Sequence, residues 1–341
     1  MCEVDVAIAG SGPGGTAAAI ALAQQGFRVA IAEAEPFPRP HPGETLHPGI
    51  EPLLQQLGVG NRLLPAGFLR HPGNWIQWEG SRRFEPFGSD ETGPWQGFQA
   101  WRADFDTILR DRAVELGVEV HQPCRALYPI VSENRVIGIA TNQGEIKAKF
   151  AVDATGSRQW LAKQLKLAIH PFSPPLIAHY GYVQGDCPIR DHAPAIVARE
   201  GGWIWTAKVR PQLYQWTRLN LDNKPLEKNW QPAEFQTLKP WGKPAVADVT
   251  WRQVSPPAGP GYFLVGDAAT VLDPASSHGV LKAIMSGMMV AHLITNLLNG
   301  KAFESQVMAG YSQWMENWFQ KDIETLRNLY ALLPNAPDWV K

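Results

Sequence analysis

The sequence predicts an α/β protein: a Rossmann-like nucleotide-binding domain with an inserted antiparallel-sheet domain and C-terminal helices. Three observations carry that expectation. A β-rich run, a glycine turn, a helix-forming stretch, a second β-rich run and an acid follow one another between Val4 and Glu33. A second strand runs into a glycine–acid turn at Gly261–Ala269. Between them lie short alternating segments separated by turn residues, the signature of antiparallel strands.

The first unit begins with Val4-Asp5-Val6-Ala7-Ile8-Ala9 and meets Gly10-Ser11-Gly12-Pro13-Gly14-Gly15. A helix is expected over Thr16–Gln25, ending at Gly26, and a strand over Phe27–Ala32, ending at Glu33. In this order Gly10 permits the tight turn, Gly12 lets the backbone approach a pyrophosphate, and Gly15 lets helix and strand pack closely. The helix N-terminus offers unpaired N–H groups and partial positive charge to phosphates. Glu33 lies 18 residues past Gly15, near the roughly 20 expected for an acid that grips ribose hydroxyls. A carboxylate there disfavours a 2′-phosphate. A glycine turn alone is common; the complete unit with its terminal acid is far more specific.

The second half is Gly261-Tyr262-Phe263-Leu264-Val265-Gly266-Asp267-Ala268-Ala269, then Asp273-Pro274, Ser276-Ser277-His278-Gly279-Val280 and a long helix over about Leu281–Leu298. Asp267 at a strand end suits a sugar-alcohol chain, and the helix N-terminus near Gly279 and Val280 can stabilise negative charge on a ring. Two such turns far apart in sequence imply one long ligand spanning both.

Composition narrows the function. The 341 residues carry 31 Lys+Arg against 32 Asp+Glu, with 45% apolar and 18% charged residues. A net charge of −1 gives no field to gather nucleic acid or an anionic membrane. Cys2, Cys124 and Cys187 form no CxxC pair, which points to a reducing cytoplasm and away from dithiol chemistry. The nine histidines form no HxH or HExxH group, so no metal is expected. Acidic residues near Met1 do not resemble a secretory signal, and the apolar stretch Ile284–Leu298 is read as a buried helix. Prolines concentrate in Pro36–Pro48, Pro171–Pro194 and Pro256–Pro260, candidate crossings between structural units.

The pair GSGPGG…E and GDAATVLDPASSHGV resembles the FAD site of flavoprotein monooxygenases with the p-hydroxybenzoate-hydroxylase-type fold. That group includes flavin-dependent halogenases and geranylgeranyl-type reductases. Trp101-Arg102-Ala103-Asp104-Phe105-Asp106 is similar to the helix after the first crossover, and Val152-Asp153-Ala154-Thr155-Gly156-Ser157 to the element that closes the nucleotide domain. The resemblance implies FAD held at Gly10, Ser11, Gly12, Pro13, Gly14 and Gly15, with Glu33 and the adjacent Ala34 at the adenosine ribose and Ala126 at adenine. It further implies Arg102 near the flavin, Asp267 on the ribityl chain, and Pro274, Gly279 and Val280 around the isoalloxazine ring. Gly43-Glu44-Thr45 resembles a stretch that passes beside the flavin in the halogenase-like branch, which adds Glu44 and Thr45; an exposed loop acid is the alternative for Glu44.

The expected FAD-binding domain is discontinuous, over 1–62, 99–170 and 256–300. The substrate domain takes 63–98 and 171–255, and 301–341 is a C-terminal helical segment. Strands are expected at Ala195–Arg199, Trp203–Val209 and Leu213–Leu221, with another possible over Asp248–Val254. Trp75, Trp203 and Trp205 are the candidate substrate contacts, large rings suited to an aromatic or hydrophobic molecule; filling core is the plainer alternative. Met308, Tyr311, Trp314, Trp318 and Ile323 recur at helical spacing, as expected of a helix that packs back on the fold. A partner or membrane-surface contact is the alternative.

The resemblance separates the possible reactions. Halogenases of this group rely on an early active-site lysine, whereas the first lysine here is Lys147. Arg70 and His71 stand near the place, but a guanidinium does not form a chloramine-like species as an amine can, so halogenation is disfavoured. The insert Gly73-Asn74-Trp75-Ile76-Gln77-Trp78-Glu79 with Pro94-Trp95-Gln96-Gly97-Phe98 looks closest to monooxygenases that hydroxylate tryptophan, free or peptidyl. The first expectation is therefore a monooxygenase acting through a flavin C4a-hydroperoxide, with His278 and His47 as candidate acid/base residues. His278 could instead only cap its helix. Electrons would come from NAD(P)H directly or through a separate flavin reductase, since no second glycine fingerprint exists. The alternatives are a geranylgeranyl-type flavin reductase and a non-catalytic flavin-binding maturation subunit.

Overall fold

The computed structural model describes residues 2–340 apart from 79, 223, 228 and 334. Glu79 of the insert and the outermost positions 1 and 341 of the expected segments therefore lie outside the described residues.

Strand β1 (Cys2–Ala9) is the axis of the first sheet. Its apolar run is buried because neighbours cover both faces: Val6, Ala7, Ile8 and Ala9 are fully inaccessible, the pattern of a central parallel strand. It pairs in parallel with β2 (Val29–Ala32) and, over Ile146–Asp153, with the longer strand Gly144–Asp153. Between β1 and β2 runs α1 (Pro13–Ala23), rich in alanine and buried almost throughout. Later strands are β3 (Gly73–Gln77), β4 (Arg83–Pro86), β5 (Glu119–His121), β6 (Ala126–Ser132), β7 (Arg135–Thr141) and β8 (Gly144–Asp153). Among the described residues the first sheet has eight strands, with the path β5-β2-β1-β8-β7-β6. The end of β8 also pairs in parallel with Tyr262–Leu264, which brings the second glycine turn to the same sheet edge as the first.

The second sheet is built from both sequence insertions. Its strands are β3, β4, β9 (Ile177–Gln184), β10 (Ala195–Arg199), β11 (Gly202–Arg210), β12 (Leu213–Asn220) and β13 (Lys239–Asp248). Among the described residues they run in the order β13-β9-β12-β11-β10-β3-β4, antiparallel except for β10 with β3. Three of these strands match the sequence reading. β3, β4, β9 and β13 were not expected as strands, and the stretch expected over Asp248–Val254 instead forms Arg252–Ser255, paired in a small separate sheet. The reason is chemical. Pro240, Gly242 and Pro244 make β13 read as a loop, yet it is the outermost strand, where a missing N–H leaves no ladder bond broken.

Three helices complete the molecule: α2 (Arg102–Glu115), α3 (Gly279–Leu298) and α4 (Glu304–Ala331). By length and composition α3 is, among the described residues, the one helix apolar enough to cross a membrane. In the fold it crosses α1 at bare backbone: a Cβ on Gly287 would lie 2.2 Å from the Gly14 carbonyl oxygen. Helix α4 buries Val307, Tyr311, Met315, Phe319, Ile323, Leu326 and Tyr330, a stripe at helical period. Its upper part joins the first core and its lower part closes over Trp78, Trp203 and Trp251 of the second. Tyr311 and Ile323 thus lie on the buried face as expected, while Met308, Trp314 and Trp318 flank it half-buried.

Candidate functional site

The first glycine turn is held by close approach. Gly10 has φ +97°, and a Cβ there would stand 2.5 Å from the Ala154 carbonyl oxygen; one on Gly15 would stand 2.1 Å from that of Gly10. No larger residue fits at either place. The loop that closes on Gly10 is set by buried Asp153, which accepts from the Thr155 N–H at 2.9 Å, the Thr155 hydroxyl at 2.7 Å and the Leu161 N–H at 2.8 Å. Helix α1 then starts with Gly12 as N-cap, no side-chain cap and no acid in its first turn. Its first N–H groups are left for another acceptor.

Glu33 ends β2 with a carboxylate that accepts from the Ser11 N–H at 2.7 Å, the Ser11 hydroxyl at 2.9 Å and the Glu35 N–H at 2.9 Å. Ser11 is therefore a brace for Glu33 rather than a cavity wall. The second turn mirrors the first: Val265 N–H donates to the Asp153 carbonyl, and Gly266 N–H to the Ser286 hydroxyl at 2.9 Å. Helix α3 also begins without a side-chain cap or an acid, and the space beyond Gly279 is open. His278 does occupy the N-cap position, with its carbonyl accepting from the Lys282 N–H at 2.8 Å, but its ring makes no capping bond.

A continuous cavity of about 880 Å³ joins these parts. Glu33, Ala34 and Ala126 line one end; Gly10, Gly12, Pro13 and Gly14 line the middle; Asp267, Pro274, Gly279 and Val280 lie further on. Asp267 is exposed although protein surrounds it, since its surface opens into the cavity. Burial raises its carboxyl pKa, against the pull of Lys282, Arg252 and Arg102. The cavity continues to Tyr180, Trp203, Trp205 and Thr217 of the second sheet.

Between the two regions passes the strap Pro42–Thr45. Arg102 donates from Nε and Nη2 to the two Asp106 oxygens, each at 2.9 Å, and from Nη1 to the Pro42 carbonyl at 3.0 Å. It positions the strap and also lines the cavity. Glu44 is buried, not an exposed loop acid: it accepts from Tyr182 Oη at 2.5 Å and from the Gly43 N–H at 2.9 Å, and burial pushes its pKa up. Thr45 donates to Gln99 Oε1 at 2.9 Å.

Five expected site residues lie off the cavity wall: Ser11 and Gly15 of the first glycine turn, His47, His278 and Trp75. The His47 and His278 rings face each other with centroids 5.4 Å apart, and neither lines the cavity. Burial, helped by His47 and Lys282, lowers the His278 pKa to about 4; His47 Nδ1 accepts from the Gly49 N–H. Trp75 packs on Phe84 and under Arg82 at the far side of the second sheet, because its strand lies next to the β4 edge. Conversely, Tyr180 and Thr217 on the wall were missed. The alternation His179-Tyr180-Gly181-Tyr182-Val183 was the available signal.

Residues 3–211 match the family of FAD binding domains. The 1H-pyrrole-2-carbonyl-(peptidyl-carrier protein) brominase of Pseudoalteromonas luteoviolacea is 27% identical over 84% of this chain and 76% of its own length. A digeranylgeranylglycerophospholipid reductase of Thermoplasma volcanium is 27% identical over 71% of this chain and 65% of its own. The solved structure of the myxobacterial chondrochloren halogenase CndH superposes with a TM-score of 0.89 at 23% identity, covering 99% of this chain and 85% of that one; this likeness concerns the fold.

Proposed function

The chain belongs to the FAD-binding flavoprotein family and is an FAD-dependent oxidoreductase, and from that premise we propose that it is a monooxygenase hydroxylating an aromatic or hydrophobic substrate. The observation that carries this reading is the single cavity running from the two uncapped helix N-termini to Tyr180, Trp203 and Trp205. Its volume and apolar walls suit a cofactor and a small ring together. The residues present fit FAD: helix α1 leaves N–H groups for the pyrophosphate, Glu33 and Asp267 leave carboxylate lone pairs for hydroxyls, and Gly279 leaves open room for a ring.

Reduced flavin with dioxygen supplies an electrophilic oxygen when bound there. The protein's part is to orient and to exclude water. The strap held by Arg102 places Glu44 beside the cavity, and the tryptophans close it from solvent. Electrons come from NAD(P)H docking transiently or from a separate flavin reductase. Buried thiols at Cys124 and Cys187 fit a reducing cytoplasm. The candidate partner is a small aromatic or a peptidyl-tryptophan-like substrate.

The brominase likeness favours halogenation as the second reading. Against it, no lysine precedes Lys147, and Arg70 is engaged elsewhere, with Nη2 3.2 Å from Glu51 and its guanidinium 3.6 Å from the Phe98 ring centroid. The reductase relative keeps double-bond reduction as the third. One experiment separates them: reduced holoenzyme is given candidate aromatics under labelled dioxygen with bromide present. A product heavier by one labelled oxygen supports hydroxylation. Bromine in the product, or two added hydrogens formed without oxygen, overturns it.

A further inference from the structure

The second core contains a feature that packing alone does not require. The Asp273 carboxylate is fully buried among aromatic rings. It accepts from Trp251 Nε1 at 2.7 Å and from the Ala275 N–H at 2.9 Å, and it interacts electrostatically with the Tyr330 hydroxyl. The Tyr330 oxygen in turn accepts from Trp203 Nε1 at 2.8 Å. The Tyr330 ring stacks on Trp251 with centroids 5.9 Å apart and planes 24° apart, and Trp251 meets Trp339 at 5.2 Å. Trp203 and Asp273 line the cavity, while Trp339 is only half-buried near the C-terminus. Burying a carboxylate costs desolvation, and leucine or phenylalanine would fill the same core without it.

We propose that Trp203, Tyr330, Trp251 and Trp339 form a charge-transfer chain from the cavity to the protein surface, with Asp273 as its proton acceptor. The oxidant is an oxygen-derived one-electron species formed when reduced flavin meets dioxygen and no substrate accepts the oxygen. It removes one electron from Trp203. Trp203 recovers that electron from Tyr330 as the phenolic proton passes to Asp273, leaving neutral Trp203, a tyrosyl radical and a carboxylic acid. Tyr330 next takes an electron from Trp251 and its proton back from Asp273, while the Trp251 indole N–H gives its own proton to the same carboxylate. Trp251 takes an electron from Trp339 and is reprotonated by Asp273. A thiol-class reductant in solution then supplies one electron to Trp339, and every proton is back where it began. Burial holds Asp273 near a pKa of about 6, so a carboxylate is present at neutral pH and is a better base than an exposed one. The chain rests on bound FAD but not on the identity of the product.

The test uses FAD-loaded oxidised protein, with flavin excited by a blue flash as the one-electron oxidant. Transient absorption is expected to show flavin reduction paired with a tyrosyl signal. In Tyr330→Phe that signal is lost and charge recombines faster. In Trp339→Phe, a change at the half-buried end whose flavin retention and melting temperature are measured alongside, the tyrosyl signal outlives the wild-type one when thiol is present. Absence of any aromatic radical in the wild type, or the same decay in wild type and Trp339→Phe, overturns the chain. Failure of the hydroxylation reading looks different: no labelled oxygen in product while the flash signals stand.

Discussion

Replacing Asp267 with alanine separates cofactor binding from stability, because the structure assigns opposite signs to the two. Among the described residues nothing hydrogen-bonds to its carboxylate, which faces the cavity. Hydrogen bonds from hydroxyls to a charged acceptor contribute about 1.5–3 kcal/mol. At about 1.4 kcal/mol per tenfold, FAD affinity should fall by about 10- to 150-fold. Stability of the flavin-free protein should move the other way. Desolvation raises the folded-state pKa of Asp267, so the folded chain holds that proton more tightly than the unfolded chain. The associated stability is present below the unfolded value of about 3.9 and is lost as pH rises through the folded value. The variant lacks that loss, so its flavin-free melting temperature at neutral pH should equal or exceed the wild type. Flavin fluorescence titration and melting curves between acid and neutral pH measure both. Unchanged affinity together with a lowered melting temperature would refute the reasoning, since Asp267 would then be structural.

Three further outcomes follow from the geometry. Glu33→Ala leaves the Ser11 N–H, the Ser11 hydroxyl and the Glu35 N–H without their acceptor, at about 1–3 kcal/mol for each buried donor left unmade; both the urea midpoint and FAD affinity should drop, and a change in affinity alone would count against the bracing role. Gly287→Ala drives a methyl to 2.2 Å from the Gly14 carbonyl, an overpacking expected to cost about 1–3 kcal/mol, and an unaltered denaturation midpoint would mean that α1 and α3 separate freely. For His278 the folded pKa of about 4 lies below its ordinary value. The folded chain thus binds fewer protons, and stability present above about pH 6.5 is lost as pH falls toward the folded value. His278→Gln should flatten that acid limb of the melting profile while leaving turnover nearly unchanged, because the ring is off the cavity wall; a large loss of turnover would restore it as a catalytic candidate.

Local chemistry explains which parts were legible from the amino-acid order. The glycine turns could be read because their demands are met within a few residues: Gly10 needs a positive φ, and α1 starts where Gly12 and Pro13 allow it. Glu33 could be read because the length of one βαβ unit sets its distance from the turn. β13 could not, since its prolines are tolerable only at a sheet edge, and edge position belongs to the assembled sheet. The same applies to Trp75, a substrate candidate by its large ring, whose strand lies next to the sheet edge and off the cavity wall.

The histidines and Asp273 carry that distinction furthest. His47 and His278 drew attention because histidine titrates near neutrality, a property of the isolated side chain. In the fold their half-buried rings face each other, and burial lowers both pKa values away from neutrality. Asp273 drew attention only as a loop residue before Pro274, yet packing brings Trp251, Tyr330 and the Ala275 N–H to its carboxylate. Most of the residues expected at the cofactor line one cavity, because what they offer is mostly backbone, whereas the two histidines expected to move protons lie off its wall. In this fold a glycine motif marks where a cavity opens between two helix N-termini, whereas a proton-transfer role has to be argued from what surrounds the side chain.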